Sequence, residues 1–261
     1  MSNNFSKIIY ELNNKNFEKA LELSDEYSEN NELHILNNLK GIIFINLKNH
    51  TKAIEHFENS LKYKEGYIDA YLNLANAYFS IKNFSKSVET LIKGLNYEPK
   101  NEKLNFNLAF FFSESYQYKK AIEQYHKVMK LGYNKEIVLN NIGNIYIKEK
   151  NYFRAKEYFL ECYKINSSNY LTINNLIRSL ILKRDFDEAK KYQNISDKLE
   201  TKNNIYFINK AELLFFYKKY EEAENFLNLF CKNNKYDIAA NISLSLIYSN
   251  LGKFENSYKI I

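Results

Sequence analysis

A small residue recurs between aromatic and apolar partners at a nearly fixed interval: Ala20, Ala53, Ser87, Ala121, Ala155, Ala189, Ala223 and Ser257. The first gap is 33 residues and the next six are 34. A period of that length marks stacked supersecondary units, each too small to bury a core alone. It overrides the one or two globular domains that 261 residues would otherwise suggest.

The unit beginning at Ile68 reads IDAYLNLANAYFSIKNFSKSVETLIKGLNYEPKN. Counting columns from its first residue, apolar or small residues stand at 4, 7, 8 and 11 (Tyr71, Leu74, Ala75, Tyr78). They return at 17, 20 and 24 (Phe84, Ser87, Leu91), and Pro99 closes the unit at 32. The unit from residue 136 supplies Leu139, Ile142, Gly143 and Tyr146, then Tyr152, Ala155 and Phe159. At 100° per residue, columns 4, 7, 8 and 11 cover roughly 100° of one helical face, the width of a packing stripe. Each unit therefore reads as two amphipathic helices joined by a short polar turn. Gly41, Ala75, Ala109, Gly143 and Ala211 at column 8 let the two helices approach, and column 20 does the same from the second helix. Aromatics at column 17 (Phe17, Phe84, Tyr118, Tyr152, Phe186, Tyr220, Phe254) are expected to fill the wedge between units as core residues. Asn16, Asn49, Asn83, Asn151 and Asp185 stand where a side-chain oxygen caps the second helix.

Taken together, these columns resemble the tetratricopeptide repeat, and the resemblance runs along essentially the whole chain. It implies an all-α fold: a right-handed α-solenoid superhelix of about eight helix-turn-helix repeats. The repeats run over 1–33, 34–67, 68–101, 102–135, 136–169, 170–203, 204–237 and 238–261, the last incomplete, as a single body over 1–261. The closing Pro survives only at Pro99. In the sixth repeat Ile177 occupies the small column and Gln193 the aromatic one, so looser helix contacts are expected there.

Several functions are disfavoured. A net charge of +6 is spread without a Lys/Arg cluster, which argues against nucleic acid. The longest apolar runs, 41–45 and 108–112, fall far short of the roughly 18 residues a membrane span needs. The opening MSNNFSKIIYELNN lacks the apolar stretch of a secretory signal. Cys162 and Cys231, two repeats apart, read as small buried residues of a reducing compartment, so the expected location is cytoplasmic. No phosphate loop, metal-ligand spacing or nucleophile–base set appears, so neither catalysis nor a cofactor or metal is expected.

One column looks functional. Column 6 of the first helix is Asn in five consecutive repeats: Asn73, Asn107, Asn141, Asn175 and Asn209. It points about 150° away from the packing stripe, and mid-helix Asn costs about 0.5 kcal/mol relative to Ala. A carboxamide both donates and accepts, so it can pair with the backbone of an extended peptide and read little of its sequence. Helices 8–10 Å apart and a strand rise of about 3.3 Å place one rung at roughly every third peptide residue. The same column is a feature of the repeat arm of O-linked N-acetylglucosamine transferases, which the motifs NLAN (73–76) and NIGN (141–144) resemble. By that resemblance Asn76 and Asn144 join the peptide-binding set. Arg178, the lone groove arginine, is a candidate for an acidic ligand side chain. The carboxylate clamp of co-chaperones is rejected, because Leu72, Ile137 and Asn141 stand where its cations are needed.

The expected function is a non-catalytic scaffold that holds an extended protein or peptide through an asparagine ladder. The alternative is the substrate-recruiting arm of a larger transferase, of glycosyltransferase or sulfotransferase type, whose catalytic domain lies outside this chain. The eighth repeat stops with Ile260 and Ile261, an apolar end through which self-association is possible.

Overall fold

A computed structural model describes residues 3–27 and 32–259. Among them the periodicity becomes eight helical hairpins and no strand. The first is α1 (Asn3–Asn13) with α2 (Phe17–Asp25), followed by α3 (Leu33–Asn46) with α4 (His50–Tyr63). Then come α5 (Ile68–Ser80) with α6 (Phe84–Tyr97), and α7 (Glu102–Glu114) with α8 (Tyr118–Lys130). Next are α9 (Lys135–Lys148) with α10 (Tyr152–Ile165), and α11 (Tyr170–Leu182) with α12 (Phe186–Ser196). The series ends with α13 (Asn204–Phe216), α14 (Tyr220–Asn233), α15 (Ile238–Asn250) and the short α16 (Phe254–Tyr258). First helices from α3 onward begin within one residue of the boundaries that the period sets. The Ile260–Ile261 pair lies outside the described residues.

Tertiary contacts group the chain into two compact units, Met1–Tyr133 with α1–α8 and Asn134–Ile261 with α9–α16. In both, column 20 is sealed: Ala20, Ala53, Ser87 and Ala121 in the first unit and Ala155, Ala189 and Ala223 in the second are fully buried. Where Ser replaces Ala, its hydroxyl finds the facing carbonyl of column 8. Ser87 donates to Ala75 O at 2.7 Å and Ser257 to Ser245 O at 3.1 Å. A buried hydroxyl without such a partner would destabilise the hairpin. Column 8 faces column 24 across each hairpin. A Cβ built on Gly41 would lie 2.4 Å from the Phe57 ring, and one on Gly143 would lie 2.6 Å from Phe159. Glycine at these two positions is thus a requirement of packing.

Every turn inside a hairpin ends its first helix in the same way. Residues at column 15 adopt the left-handed conformation: Lys48, Lys82, Tyr116, Lys150, Arg184 and Lys218 at φ of 59 to 66°, and Gly252 at 73°. The next amide then reaches back five residues, as Asn83 N does to Tyr78 O at 2.9 Å and Asn151 N to Tyr146 O at 2.8 Å. This is the Schellman closure that satisfies the last carbonyls of a helix.

Three expectations are corrected. The column-17 aromatics are only half-buried, and Phe254 is 59% exposed, because they sit at the mouth of the wedge. Asn49, Asn83 and Asn151 cap their helices by accepting from Lys52, Lys86 and Arg154 amides, but Asn16 and Asp185 do not. Asn16 instead donates to Glu11 at 2.7 Å, and Asp185 accepts from Lys183 at 3.3 Å, stronger charged partners than a backbone amide. Cys162 is fully buried, whereas Cys231 is only half-buried. In the sixth hairpin Ile177 fills the space a small residue would leave, and Gln193 is 4% exposed with its Oε1 unpartnered.

Candidate first-helix peptide site

Within the first unit, α3, α5 and α7 pack side by side and present residues of columns 2, 5, 6 and 9 to one surface. A concave pocket of about 510 Å3 opens there. It is lined by Asn38 and Ile42 of α3, Asp69, Leu72, Asn73 and Asn76 of α5, Lys103, Phe106 and Asn107 of α7, and Tyr133 beyond α8. The Phe106 ring stacks on Tyr133 with centroids 4.7 Å apart and meets Tyr125 edge-on at 5.7 Å, so its apolar face is held in place. Burial, helped by the Asp69 carboxylate, pushes the nearby Tyr67 hydroxyl above its ordinary range. Lys103 is exposed and makes no ion pair among the described residues.

The asparagine column divides into members tied to column 5 of the preceding repeat and members that are not. Asn73 donates to Asn38 Oδ1 at 2.9 Å, and Asn175 donates to Asn140 Oδ1 at 2.9 Å. Asn209 donates to the Asn174 carbonyl at 2.8 Å. Each pair is 35 residues apart, from column 5 of one repeat to column 6 of the next. Asn107 follows Leu72 at that offset, and the side chain of Leu72 has no acceptor. Asn107 makes no side-chain hydrogen bond among the described residues and stays half-buried on the pocket wall. Asn141 folds back onto its own helix, donating to Ile137 O at 2.8 Å.

The expected ladder is corrected accordingly. Asn209 is fully buried, with its Oδ1 lacking a partner, and so is withdrawn from any ligand. Asn73 and Asn175 spend one N–H on the neighbouring repeat and keep their remaining capacity at a half-buried surface. Asn76 and Asn144 are exposed, without intramolecular partners among the described residues. Arg178 is neutralised by Glu212 of the next repeat at 2.6 Å, each about a third exposed, and is not a free anion receptor. Sequence reasoning missed the column-5 asparagines Asn38, Asn140 and Asn174, although the Asn–Asn spacing of 35 was there to be read. It also missed the contribution of Ile42 and Tyr133 to the pocket wall.

No helix among the described residues is long and apolar enough to cross a membrane. Models of the tetratricopeptide repeat match residues 45–104 and 138–169. No curated protein matches the sequence. Among solved structures, the chain is similar to a tetratricopeptide repeat protein from Parabacteroides merdae, with a TM-score of 0.73 and 15% identity over 87% of this chain and 90% of that one. The apo form of the quorum sensor NprR from B. thuringiensis superposes with a TM-score of 0.70 and 19% identity, over 98% of this chain and 85% of that one. YrrB, described as a repeat protein with an unusual peptide-binding site, gives 0.51 at 16% identity over 72% and 96%. At these identities the likeness establishes the fold.

Proposed function

We propose that this chain, which belongs to the tetratricopeptide-repeat family, is a non-catalytic scaffold that holds an extended segment of a partner protein on its first helices. The observation that carries this reading is the pocket of the first unit, where Asn76 and Asn107 offer untied carboxamides beside the Leu72 and Phe106 side chains. An amide of this kind pairs with both the C=O and the N–H of a peptide backbone. The apolar neighbours exclude water from those bonds and strengthen them. In the second unit, Asn144 offers a similar carboxamide and Asn141 and Asn175 contribute what their internal bonds leave over.

The test is fluorescence anisotropy with a labelled, chemically unfolded polypeptide. Replacing Asn76 and Asn107 by Ala removes two neutral hydrogen bonds of about 1 kcal/mol each, so affinity should fall by about thirtyfold. Undiminished binding would refute the site. Asn73→Ala is the control, because its carboxamide also ties α5 to α3 through Asn38 and its loss should lower stability. A recruiting arm of a transferase is the second reading, supported by the NLAN and NIGN motifs, and a reading frame that continues into a catalytic domain would favour it. Self-association through the terminal repeat rests on the exposed α15 residues Ile238, Ile242 and Leu246, and light scattering over a concentration series tests it.

A further inference from the structure

A second groove lies on the opposite side of the first unit, between the second helices α4 and α6 with α5 as its floor. It encloses about 600 Å3. Two stations of tyrosine and carboxylate follow one another along it. Their floor residues Tyr78 and Tyr71 are seven residues apart on α5, or roughly 10 Å of helix. At the first station Tyr78 donates its hydroxyl to Glu58 Oε1 at 2.7 Å, and the Lys86 ammonium lies 5.2 Å from the Tyr78 ring centroid. At the second, Tyr97 donates to Glu65 Oε2 at 3.3 Å, and its ring stacks on Tyr71 with centroids 5.9 Å apart.

The stations differ in one respect. The first holds a cation of the chain itself. The second does not: among the described residues Glu65 makes no ion pair, and neither the Tyr71 nor the Tyr97 ring carries a Lys or Arg. The neighbouring amines are engaged elsewhere, Lys93 with Glu89 at 2.8 Å and Lys62 with Asn59 at 3.0 Å. Burial foremost, with Tyr97 and the Glu65 charge adding to it, pushes the Tyr71 hydroxyl up to about 12. The station thus sets the unpaired Glu65 carboxylate beside the half-exposed Tyr97 ring, with the buried Tyr71 ring stacked behind it. That is the surrounding a cation–π contact requires, and Lys86 shows it in use one station away.

We propose that the Tyr71–Tyr97–Glu65 station receives an arginine side chain of a partner protein. A guanidinium is planar, stacks on a tyrosine ring and forks onto a carboxylate. It is also more weakly hydrated than an ammonium, so it loses less on entering a groove. This contact is independent of the first-helix site, and a partner that occupies both faces would gain from the linkage.

The experiment is an NMR titration of protein labelled in its tyrosine rings. The probe is the blocked tripeptide Gly-Arg-Gly, with Gly-Lys-Gly and Gly-Glu-Gly as comparisons. Saturable shifts of the Tyr71 and Tyr97 rings are expected with the arginine probe in the millimolar range, severalfold weaker with lysine and absent with glutamate. Glu65→Gln should weaken the arginine probe by about tenfold and leave the helical spectrum unchanged, since Glu65 is exposed. The Asn76→Ala, Asn107→Ala protein should bind the probe as the parent does, so failure here and failure at the first-helix site are distinguishable. Shifts that never saturate, equal binding of the glutamate probe, or indifference to Glu65→Gln would each overturn the proposal.

Discussion

Gly143→Ala tests whether the close approach of two helices, rather than helix propensity, controls column 8. In an isolated helix the change is favourable by about 1 kcal/mol, because Ala constrains the unfolded chain and Gly does not. In this fold the added methyl would lie 2.6 Å from Phe159 Cε1 and 2.8 Å from Cζ. Relaxed carbon contacts are about 3.5 Å, so the overlap is about 1 Å. Phe159 is fully buried within the core around α10 and α11 and has no open space into which to retreat. Overpacking of this kind costs about 1–3 kcal/mol, and the overlap is large enough to place it in the upper part of that range. After the propensity gain, a net loss of about 1–2 kcal/mol is expected. Phe159→Leu relieves the overlap and recreates the pairing of Ala75 with Leu91 and of Ala211 with Leu227. The double substitution should therefore cost less than the sum of the singles by about 1 kcal/mol, a coupling typical of residues in contact. Urea unfolding followed by far-ultraviolet circular dichroism gives the energies, and amide exchange in α9 and α10 localises them. A Gly143→Ala protein more stable than the parent, or strict additivity in the double, would refute the reasoning.

Two further outcomes follow from the geometry. Lys82 and Lys150 hold φ of 61 and 60°, a conformation that costs a residue with a Cβ about 1–2 kcal/mol. Glycine at either position gives back part of this through the entropy of the unfolded chain, so Lys82→Gly and Lys150→Gly should each stabilise by about 0.5–1 kcal/mol in thermal melts. Unchanged or lower melting temperatures would refute it. The second outcome concerns alkaline pH. Burial raises Cys162 from 9.0 to about 12, and Tyr71 and Tyr78 from 10.0 to about 12. Above pH 9 the folded chain keeps protons that the unfolded chain releases, so stability is complete below that pH and declines as pH rises toward 12. Urea midpoints at pH 8, 9.5 and 10.5 should fall in that order, and Cys162→Ala should blunt the first step. Midpoints that rise with pH would contradict the assignment.

The hairpins were legible from sequence because their causes are local. A small residue at a near-constant spacing of 34, an aromatic or leucine four residues on in most repeats and a polar turn between stripes leave one way to bury the apolar faces. Helix starts at Ile68, Glu102, Tyr170, Asn204 and Ile238 coincide with the repeat boundaries for this reason. What each groove side chain is free to do was settled only by tertiary structure. Asn107 and Asn209 occupy the same column and carry the same carboxamide, yet one lines a pocket and the other is sealed against Asn174. The residue type 35 positions earlier does not make the difference, since Asn209 pairs with the main-chain carbonyl of Asn174 and Leu72 carries such a carbonyl too; what differs is whether helix stacking brings an acceptor within reach of the amide. A column in a repeat fixes the direction of a side chain, whereas its partner belongs to the neighbouring repeat and exists only once the helices have stacked.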